Sequence, residues 1–162
     1  MVDNKKYELA KKLYEALKSK NMTVSTAESC TGGMIGAILT SVAGMSECYG
    51  YGVVTYANEA KEKMVGVKHE TLESYGAVSE QTACEMASGV LKLSFSDVSV
   101  AVTGIAGPGG GTKEKPVGLV YIGYADKNGE CKAYKNIFSG DRESVREQTV
   151  VKALEILIAN IG

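Results

Sequence analysis

The seven residues 98–104, VSVAVTG, constrain the fold of this chain more than any other segment. They are almost continuously apolar and rich in β-branched residues, a pattern typical of a strand that is covered on both faces. Helices packed on the two sides of a sheet provide such a cover. The segment therefore predicts a central strand in a sheet that lies between helical layers.

Helical and strand segments alternate around this strand. Apolar spacing predicts a first helix over residues 4–19 and a long last helix capped by Asp141. The buried stripe of that last helix is predicted to be Val150, Ala153, Leu154, Leu157 and Ile161. Strands are expected at 22–27, 49–56, 117–125 and 131–138, and further helices at 30–42, 59–65, 70–75 and 79–93, the last of them capped by Ser79. An Asn-Gly pair predicts a hairpin between the last two strands. We therefore expect a single α/β domain over residues 1–162, a mixed β-sheet between layers of α-helices with a C-terminal hairpin and a long C-terminal helix.

Composition argues against several classes of partner. Lysine and arginine number 18 against 19 acidic residues, a formal net charge of −1, which gives no sign of a nucleic-acid or membrane-surface partner. No apolar run approaches the roughly 18–20 residues of a membrane span, and the charged N-terminus contains no secretory apolar region. We therefore expect a cytoplasmic protein that binds neither nucleic acid nor membrane.

Four cysteines and one histidine limit the available chemistry. Cys30, Cys48, Cys84 and Cys131 form no CxxC pair and, with His69 alone, give no zinc signature, so we expect no metal site. We expect buried, reduced thiols, because a chain of this length does not need disulfides. The histidine lies in a polar stretch typical of a surface helix or loop. Acid–base chemistry is therefore expected to use lysine, glutamate, aspartate or tyrosine.

The segment TAESCTGGMIG places a carboxylate, hydroxyls and a thiol between a predicted strand and a predicted helix. Ser29 would lie at or just before the helix N-terminus, where unpaired backbone N–H groups stabilise an oxyanion or a phosphate. Gly32 and Gly33 leave such a site open, although glycine there costs about 0.5–1 kcal/mol relative to alanine. Two other interpretations stay open: Ser29 or Thr31 merely caps the helix, or Cys30 is the nucleophile.

Lys61, in the segment TYANEAKEKM, is the second candidate. If Asn58 is the N-cap, Lys61 occupies the first helical turn, where the dipole disfavours a protonated amine by about 0.3–1 kcal/mol. Deprotonating an ordinary lysine at neutral pH costs about 4.6 kcal/mol, which only burial could largely supply. Lys61 is thus either a solvated surface residue or a partly buried base.

Two further segments could contact a ligand. The stretch GIAGPGGGTKEKPVG follows the predicted central strand, where open α/β sheets bind ligands, but it matches neither the Walker A nor the GxGxxG fingerprint. It is a flexible connector or a loop that covers the substrate. Arg142 and Arg146 lie one turn apart and could hold a phosphate or carboxylate, or could pair with Glu143 or Glu147 on a solvated helix.

The order of these motifs is specific. The segments TAESCTGG, GVVTYANEAKEKMVGV, GAVSEQTA, TGIAGPGGGTKEKPVG and FSGDRESVR together resemble the C-terminal domain of the CinA (competence/damage-inducible protein) family, from about residue 4 to residue 160. The resemblance is closest to its stand-alone members, the nicotinamide-nucleotide amidohydrolases. It implies hydrolysis of the carboxamide of nicotinamide mononucleotide (NMN) to nicotinic acid mononucleotide and ammonia.

The same resemblance implies a serine–lysine amidohydrolase that needs neither metal nor cofactor. It assigns the nucleophile to Ser29 and the base to Lys61, with Tyr56 supporting the lysine or the substrate. The threonine–glycine pair that ends the central strand is expected beside the pyridine amide, and one of two arginines on the ribose phosphate. The full set of expected substrate-binding residues is Glu28, Thr31, Gly32, Gly33, Thr103, Gly104, Arg142 and Arg146.

Alternative functions remain on the sequence alone. One is a thiol hydrolase built on Cys30, and another is a non-catalytic module that binds a mononucleotide or a protein partner through the same crevice. A related pyridine or ribosyl amide could also be the substrate. The segment YGYGVVTY could join subunits, and we expect a homodimer or a higher homo-oligomer.

Overall fold

The computed structural model describes residues 4–162 as one mixed sheet with helices on both faces. In chain order the elements are α1 (Asn4–Ser19), β1 (Val24–Glu28), α2 (Met34–Thr40), a short 3-10 helix (Met45–Glu47), β2 (Tyr49–Val54), α3 (Asn58–Val65), α4 (His69–Tyr75), α5 (Glu80–Ser94), β3 (Val98–Gly104), β4 (Leu119–Asp126), β5 (Cys131–Ile137) and α6 (Arg142–Ile161). The strand ends agree with the sequence predictions to within two residues.

Strand β3 lies in the middle of the sheet, whose order is β2-β1-β3-β4-β5. Strand β1 runs parallel to both β2 and β3, whereas β4 and β5 continue the sheet antiparallel. Every residue of β3 except the last, Gly104, is buried. This confirms the predicted central strand, the mixed sheet and the C-terminal hairpin.

The side chains of β3 alternate between two apolar layers. Val98, Val100 and Val102 pack with residues of α1, α2 and α6, while Ala101 packs with α3 and α5 on the opposite face. The predicted buried stripe of α6 is also confirmed: Val150, Ala153, Leu154, Leu157 and Ile161 are all buried. No helix within residues 4–162 is both long and apolar enough to cross a membrane.

Two predicted helix caps are confirmed by their hydrogen bonds. The Ser79 hydroxyl accepts the Thr82 N–H at 3.1 Å and begins α5. The Asp141 carboxylate accepts the Ser144 N–H at 2.8 Å and begins α6. Each side chain satisfies a backbone donor of the first helical turn.

The prediction that the second helix begins near Cys30 is wrong, because α2 begins at Met34. The carboxylate of Glu28 accepts the N–H groups of Ile35 at 2.9 Å and Gly36 at 3.0 Å. These are first-turn donors of α2, so a residue seven positions earlier satisfies the helix start. Residues 30–33 form a separate turn, which we call the nucleophile turn because it follows the predicted nucleophile, Ser29.

The prediction that Asn58 is an N-cap is also wrong. Asn58 is the first residue of α3, and the N-cap is Ala57, whose side chain makes no capping bond. Lys61 is therefore the fourth residue of its helix, and its own N–H donates to the Ala57 carbonyl at 3.2 Å.

The expectation of reduced thiols is wrong for one pair of cysteines. Cys84 on α5 and Cys131 on β5 form a disulfide, with their Cα atoms 5.9 Å apart. Helix α5 packs across β5, which brings the two residues together although 47 positions separate them in sequence. Cys30 and Cys48 are buried and free, as expected.

The close approach of α5 to α3 generates a stability prediction. A Cβ added at Gly89 would lie 1.7 Å from the carbonyl oxygen of Val65, so Gly89→Ala must push the two helices apart. We expect it to lower the free energy of unfolding by about 1–3 kcal/mol, despite the higher helix propensity of alanine. Urea titration measures the loss.

The matched control for this prediction is Gly50→Ala, because an added Cβ at Gly50 meets no atom within 4 Å. We expect that variant to keep the free energy of unfolding of the unsubstituted protein. Equal stability of the Gly89 and Gly50 variants would contradict the packing described for α3 and α5.

Candidate active site

Ser29 follows the last residue of β1, at the carboxyl edge of the parallel strands. Its N–H donates to the Val102 carbonyl at 3.0 Å, and its carbonyl accepts the Gly32 N–H at 3.1 Å. These two bonds tie the nucleophile turn to the central strand and close it on itself. Open α/β sheets place ligand crevices at this edge.

A cavity of about 190 Å³ opens beside Ser29. Its lining comes from several separate segments of the chain: Ser29, Cys30, Tyr56, Asn58, Lys61, Ala77, Val78, Thr103, Gly104, Ala106 and Arg142. Six of the residues predicted from sequence therefore border one space. The other predicted residues, Glu28, Thr31, Gly32, Gly33 and Arg146, lie outside its lining.

Lys61 is only 1% exposed, which settles the question of whether it is solvated. Its Nζ lies 3.0 Å from the Ser29 Oγ, 2.8 Å from the Thr55 carbonyl oxygen and 3.2 Å from the Tyr56 carbonyl oxygen. Within residues 4–162 no carboxylate lies within ion-pair distance of it. Burial lowers the pKa of Lys61 from its ordinary value, opposed by the nearby Cys30 thiol.

The three oxygen partners of Lys61 suit both the ammonium and the uncharged amine. A neutral amine has two N–H donors and one lone pair, whereas an ammonium has three donors. The carbonyls of Thr55 and Tyr56 can only accept, so they take both N–H groups of the neutral form. In the ammonium form the third N–H donates to the Ser29 Oγ at 3.0 Å, whereas in the neutral form the lone pair is left to accept the serine proton.

Tyr56 contacts the site through both its backbone carbonyl and its phenol side chain. Its carbonyl accepts from Lys61, while its phenol oxygen accepts from the Nη2 of Arg142 at 3.2 Å. The residue is 63% exposed and lines the cavity, and among residues 4–162 only its carbonyl, not its phenol, hydrogen-bonds the lysine amine. Thr55, which the sequence interpretation missed, contributes a backbone carbonyl, and no side-chain motif signals such a contact.

Arg142 and Arg146 occupy different surroundings, although one helical turn separates them. Arg142 lines the cavity, and its Nη1 donates to the Gly107 carbonyl at 2.8 Å. Arg146 lies outside the cavity lining and donates to carbonyls of the nucleophile turn. The alternative that these arginines pair with Glu143 or Glu147 is wrong in the described part of the chain, where Glu147 pairs with Lys6.

Glu28 is a buried carboxylate that holds the turn rather than bordering the cavity. Besides the two N–H groups of α2, it accepts the Thr31 hydroxyl at 2.5 Å. Gly32 and Gly33 both have positive φ, of 57° and 106°, the left-handed region that glycine tolerates best. The two glycines therefore allow the backbone to adopt the left-handed conformation that the turn requires.

The end of β3 forms another wall of the cavity. The Thr103 hydroxyl donates to the Ala77 carbonyl at 2.8 Å, which ties the strand to the segment before α5. A Cβ at Gly104 would lie 2.6 Å from the Val120 side chain, so only glycine fits there. The glycine-rich stretch that follows borders the cavity through Ala106 and holds Arg142 through Gly107, so it is a wall of the site and not only a connector.

Neither the thiol nor the imidazole is placed as a reactive group. Burial raises the pKa of Cys30 to about 12, and the thiolate is the nucleophilic form of cysteine. His69 is exposed, with its ring nitrogens 3.1 Å from Glu62 and 3.0 Å from Glu73, and it lies outside the cavity lining. Within residues 4–162, no three His, Cys, Asp or Glu side chains form a group that could hold a metal ion.

Comparison with known proteins decides the family. A family model described as the CinA C-terminal domain matches residues 6–161. The chain belongs to the CinA C-terminal domain family. The resemblance inferred from the ordered motifs is thereby confirmed.

Relatives with this domain differ in length. The nicotinamide-nucleotide amidohydrolase PncC of Escherichia coli K12 is 47% identical over 157 residues, which cover 97% of this chain and 95% of the relative. The CinA-like protein of Endomicrobium trichonymphae is 57% identical over 141 residues, which cover 87% of this chain but 33% of that protein. The CinA domain thus occurs both nearly alone and within longer chains.

Solved structures share the whole fold. The crystal structure of the competence/damage inducible protein CihA from Agrobacterium tumefaciens matches with a TM-score of 0.95 and 47% identity, covering 98% of this chain and 97% of that one. The crystal structure of a competence or damage-inducible protein from Enterobacter asburiae matches with a TM-score of 0.93 and 38% identity, covering 99% of this chain and 100% of that one. These two solved proteins therefore share the single α/β domain of this chain.

Proposed function

We propose that the chain hydrolyses the carboxamide of NMN to nicotinic acid mononucleotide and ammonia, with Ser29 as nucleophile and Lys61 as base. The observation that carries the proposal is the buried Lys61 amine 3.0 Å from the Ser29 hydroxyl beside a cavity. The relatives support the proposal as well, because E. coli PncC, which is named a nicotinamide-nucleotide amidohydrolase, is similar to this chain over nearly the whole length of both.

The first step is attack by the serine oxygen on the amide carbon. The neutral Lys61 amine takes the Ser29 proton as the Oγ–C bond forms, which gives a tetrahedral oxyanion. The two backbone carbonyls hold the amine with its lone pair toward the serine. No histidine or metal is needed for this step.

The oxyanion needs donors other than the N–H of the nucleophile itself. The Ser29 N–H is bound to Val102, whereas the N–H groups of Cys30 and Thr31 have no hydrogen-bond acceptor among residues 4–162. Cys30 lines the cavity, and Thr31, the next residue, is fully buried outside its lining. We assign the oxyanion site to this turn rather than to the start of a helix.

The second half of the reaction returns the proton. The Lys61 ammonium protonates the departing amide nitrogen, the C–N bond breaks, and ammonia leaves an ester on Ser29. A water molecule then attacks the ester carbon with Lys61 again as base, which releases the carboxylate and restores the serine hydroxyl. The sum consumes one water per amide and forms one carboxylate and one ammonium.

The cavity encloses only part of such a substrate. Its volume of about 190 Å³ is below the roughly 300–1,000 Å³ of pockets that enclose whole drug-sized ligands. The carboxamide end is expected inside, beside Thr103 and Gly104. Arg142 and Tyr56 lie at the exposed side, where the guanidinium binds only neutral acceptors among the described residues and is free to bind a phosphate.

Two substitutions test the dyad. We expect Ser29→Ala and Lys61→Met each to lower ammonia release from NMN at least about 1,000-fold, because each removes a group that forms or transfers a bond. An enzyme-coupled ammonia assay with NMN, nicotinamide riboside and nicotinamide measures turnover and substrate class together. Circular dichroism checks that both variants fold.

Matched controls separate the rival functions. Lys63→Met removes an exposed lysine from the same helix, and Cys30→Ala removes the neighbouring thiol, so both should remain active. An inactive Cys30→Ala with an active Ser29→Ala would select the thiol hydrolase instead. Calorimetric binding of NMN without ammonia release by the unsubstituted protein would select a binding module.

The pH dependence follows from the neutral form of the lysine. Burial lowers the pKa of Lys61, so the reactive amine is present at lower pH than for an exposed lysine, and it is lost as pH falls through that pKa. We expect kcat/KM to fall about tenfold per pH unit below it. An initial-rate series from about pH 9 to about pH 6 measures this, and a flat profile would contradict a lysine base.

We also propose that the chain forms a homodimer through β2. Among residues 4–162 this edge strand pairs with β1 alone; it contains no charged residue and exposes Tyr51 by 49% and Val54 by 47%. Natural edge strands usually carry charges that block pairing. A second copy of β2 across a two-fold axis would satisfy the open backbone groups.

Sedimentation velocity tests the dimer. We expect the unsubstituted protein to sediment as a dimer and Tyr51→Lys as a monomer, because a charge on the edge opposes strand pairing. Tyr75→Lys changes a similarly exposed tyrosine on α4 and should leave the dimer intact. A monomeric unsubstituted protein, or a dimeric Tyr51→Lys variant, would contradict the proposal.

A further inference from the structure

Arg146 binds the backbone of the nucleophile turn at two points. Its Nε donates to the Cys30 carbonyl at 3.0 Å, and its Nη2 donates to the Thr31 carbonyl at 3.3 Å. An added Cβ at Gly32 would lie 3.7 Å from Nη2, so the guanidinium rests against the glycine. Within the described chain no carboxylate forms an ion pair with Arg146, so its charge acts on the turn.

Peptide geometry transmits the effect of these two bonds. In a trans peptide the C=O and the following N–H point in opposite directions. The Cys30 carbonyl faces the guanidinium, so the Thr31 N–H of the same peptide faces away from it. Arg146 thereby fixes the direction of one of the two free donors of the turn.

The second bond reaches the other free donor through a chain of peptide groups. The Thr31 carbonyl accepts from Arg146, and the N–H of that peptide, which belongs to Gly32, donates to the Ser29 carbonyl at 3.1 Å. The N–H of the Ser29 carbonyl's own peptide belongs to Cys30, a residue that lines the cavity. The guanidinium, the Thr31–Gly32 peptide and the Ser29–Cys30 peptide thus form one hydrogen-bonded chain, which ends at the Cys30 N–H.

Hydrogen bonds in such chains polarise one another. Cooperative strengthening amounts to about 10–30% per bond, and a charged donor at the head increases the effect. The Cys30 N–H becomes a better donor toward the cavity, and the Thr31 N–H is polarised through a single peptide. Both are the donors assigned above to the oxyanion.

We propose that Arg146 is a positioning residue that orients and polarises the Cys30 and Thr31 N–H groups for the oxyanion, and that it does not bind the substrate phosphate. This inference rests on the proposed function, since it requires the attack by Ser29. Arg142, which lines the cavity, is left as the phosphate ligand.

The two roles differ in kinetics. An oxyanion donor acts in the transition state, so weakening it lowers kcat and leaves KM nearly unchanged. A phosphate ligand binds the ground state as well, so its loss raises KM for NMN and has no effect on nicotinamide riboside, which lacks the phosphate. Comparing both substrates therefore assigns each arginine.

The experiment uses Arg146→Gln and Arg146→Lys, with Arg142→Gln for comparison. For Arg146→Gln we expect kcat to fall about 10- to 100-fold on both substrates, less than the 10²- to 10³-fold loss of a whole oxyanion donor, with KM changed less than about threefold. Arg146→Lys retains the charge and should recover part of kcat. Arg142→Gln should raise KM for NMN alone.

Two further measurements separate positioning from a general structural role. Pyridine-3-boronic acid forms a tetrahedral adduct with an active serine, so its affinity should fall by the same factor as kcat in Arg146→Gln. The amide proton resonances of Cys30 and Thr31 should move upfield in Arg146→Lys, as expected for weaker polarisation. Glu147→Gln, which alters the next residue of α6 and its contact with Lys6, should change none of these values.

The outcomes are distinguishable. A rise in KM for NMN alone in Arg146→Gln would make Arg146 a phosphate ligand and overturn the inference. A lower kcat with unchanged boronate affinity and unchanged amide shifts would overturn it as well. Absence of ammonia release from NMN and from nicotinamide riboside by the unsubstituted protein would instead overturn the proposed function, and this inference with it.

Discussion

The contact between the Lys61 amine and the Ser29 hydroxyl depends on the pairing of two parallel strands. Strand β1 runs into Ser29, and β2 runs into Thr55, whose N–H donates to the Glu28 carbonyl at 2.9 Å. This register places the carbonyls of Thr55 and Tyr56 beside the serine, where they accept from the lysine. Helix α3 places its fourth residue, Lys61, next to these carbonyls and the serine.

The absence of a carboxylate beside the amine within residues 4–162 matters as much as the presence of the serine. A carboxylate partner would favour the ammonium and raise the lysine pKa, whereas burial among neutral oxygens favours the amine. Burying an uncharged lysine also costs far less than burying an ammonium, because the neutral group carries no charge to desolvate. The same contacts therefore lower the energetic cost of the fold and prepare the base.

Local sequence predicted the elements well and the site only in part. The central strand, α1, and the caps Ser79 and Asp141 follow from composition and spacing within a few residues. The start of α2 does not, because it depends on the Glu28 carboxylate reaching across the nucleophile turn. The burial of Lys61 was likewise undecided, since it arises from strand pairing and from α5 rather than from neighbours in sequence.

The backbone of the nucleophile turn has both donors and acceptors to satisfy, and it is bound by both a carboxylate and a guanidinium. Glu28 takes N–H groups and a hydroxyl, while Arg146 takes two carbonyls, so opposite charges satisfy opposite poles of the peptide groups. The N–H of Gly33, also without a protein acceptor in the described chain, is partly exposed to water. The two buried donors left over are those of Cys30 and Thr31, beside the serine. These two N–H groups are the buried backbone donors of the turn that a developing oxyanion could use.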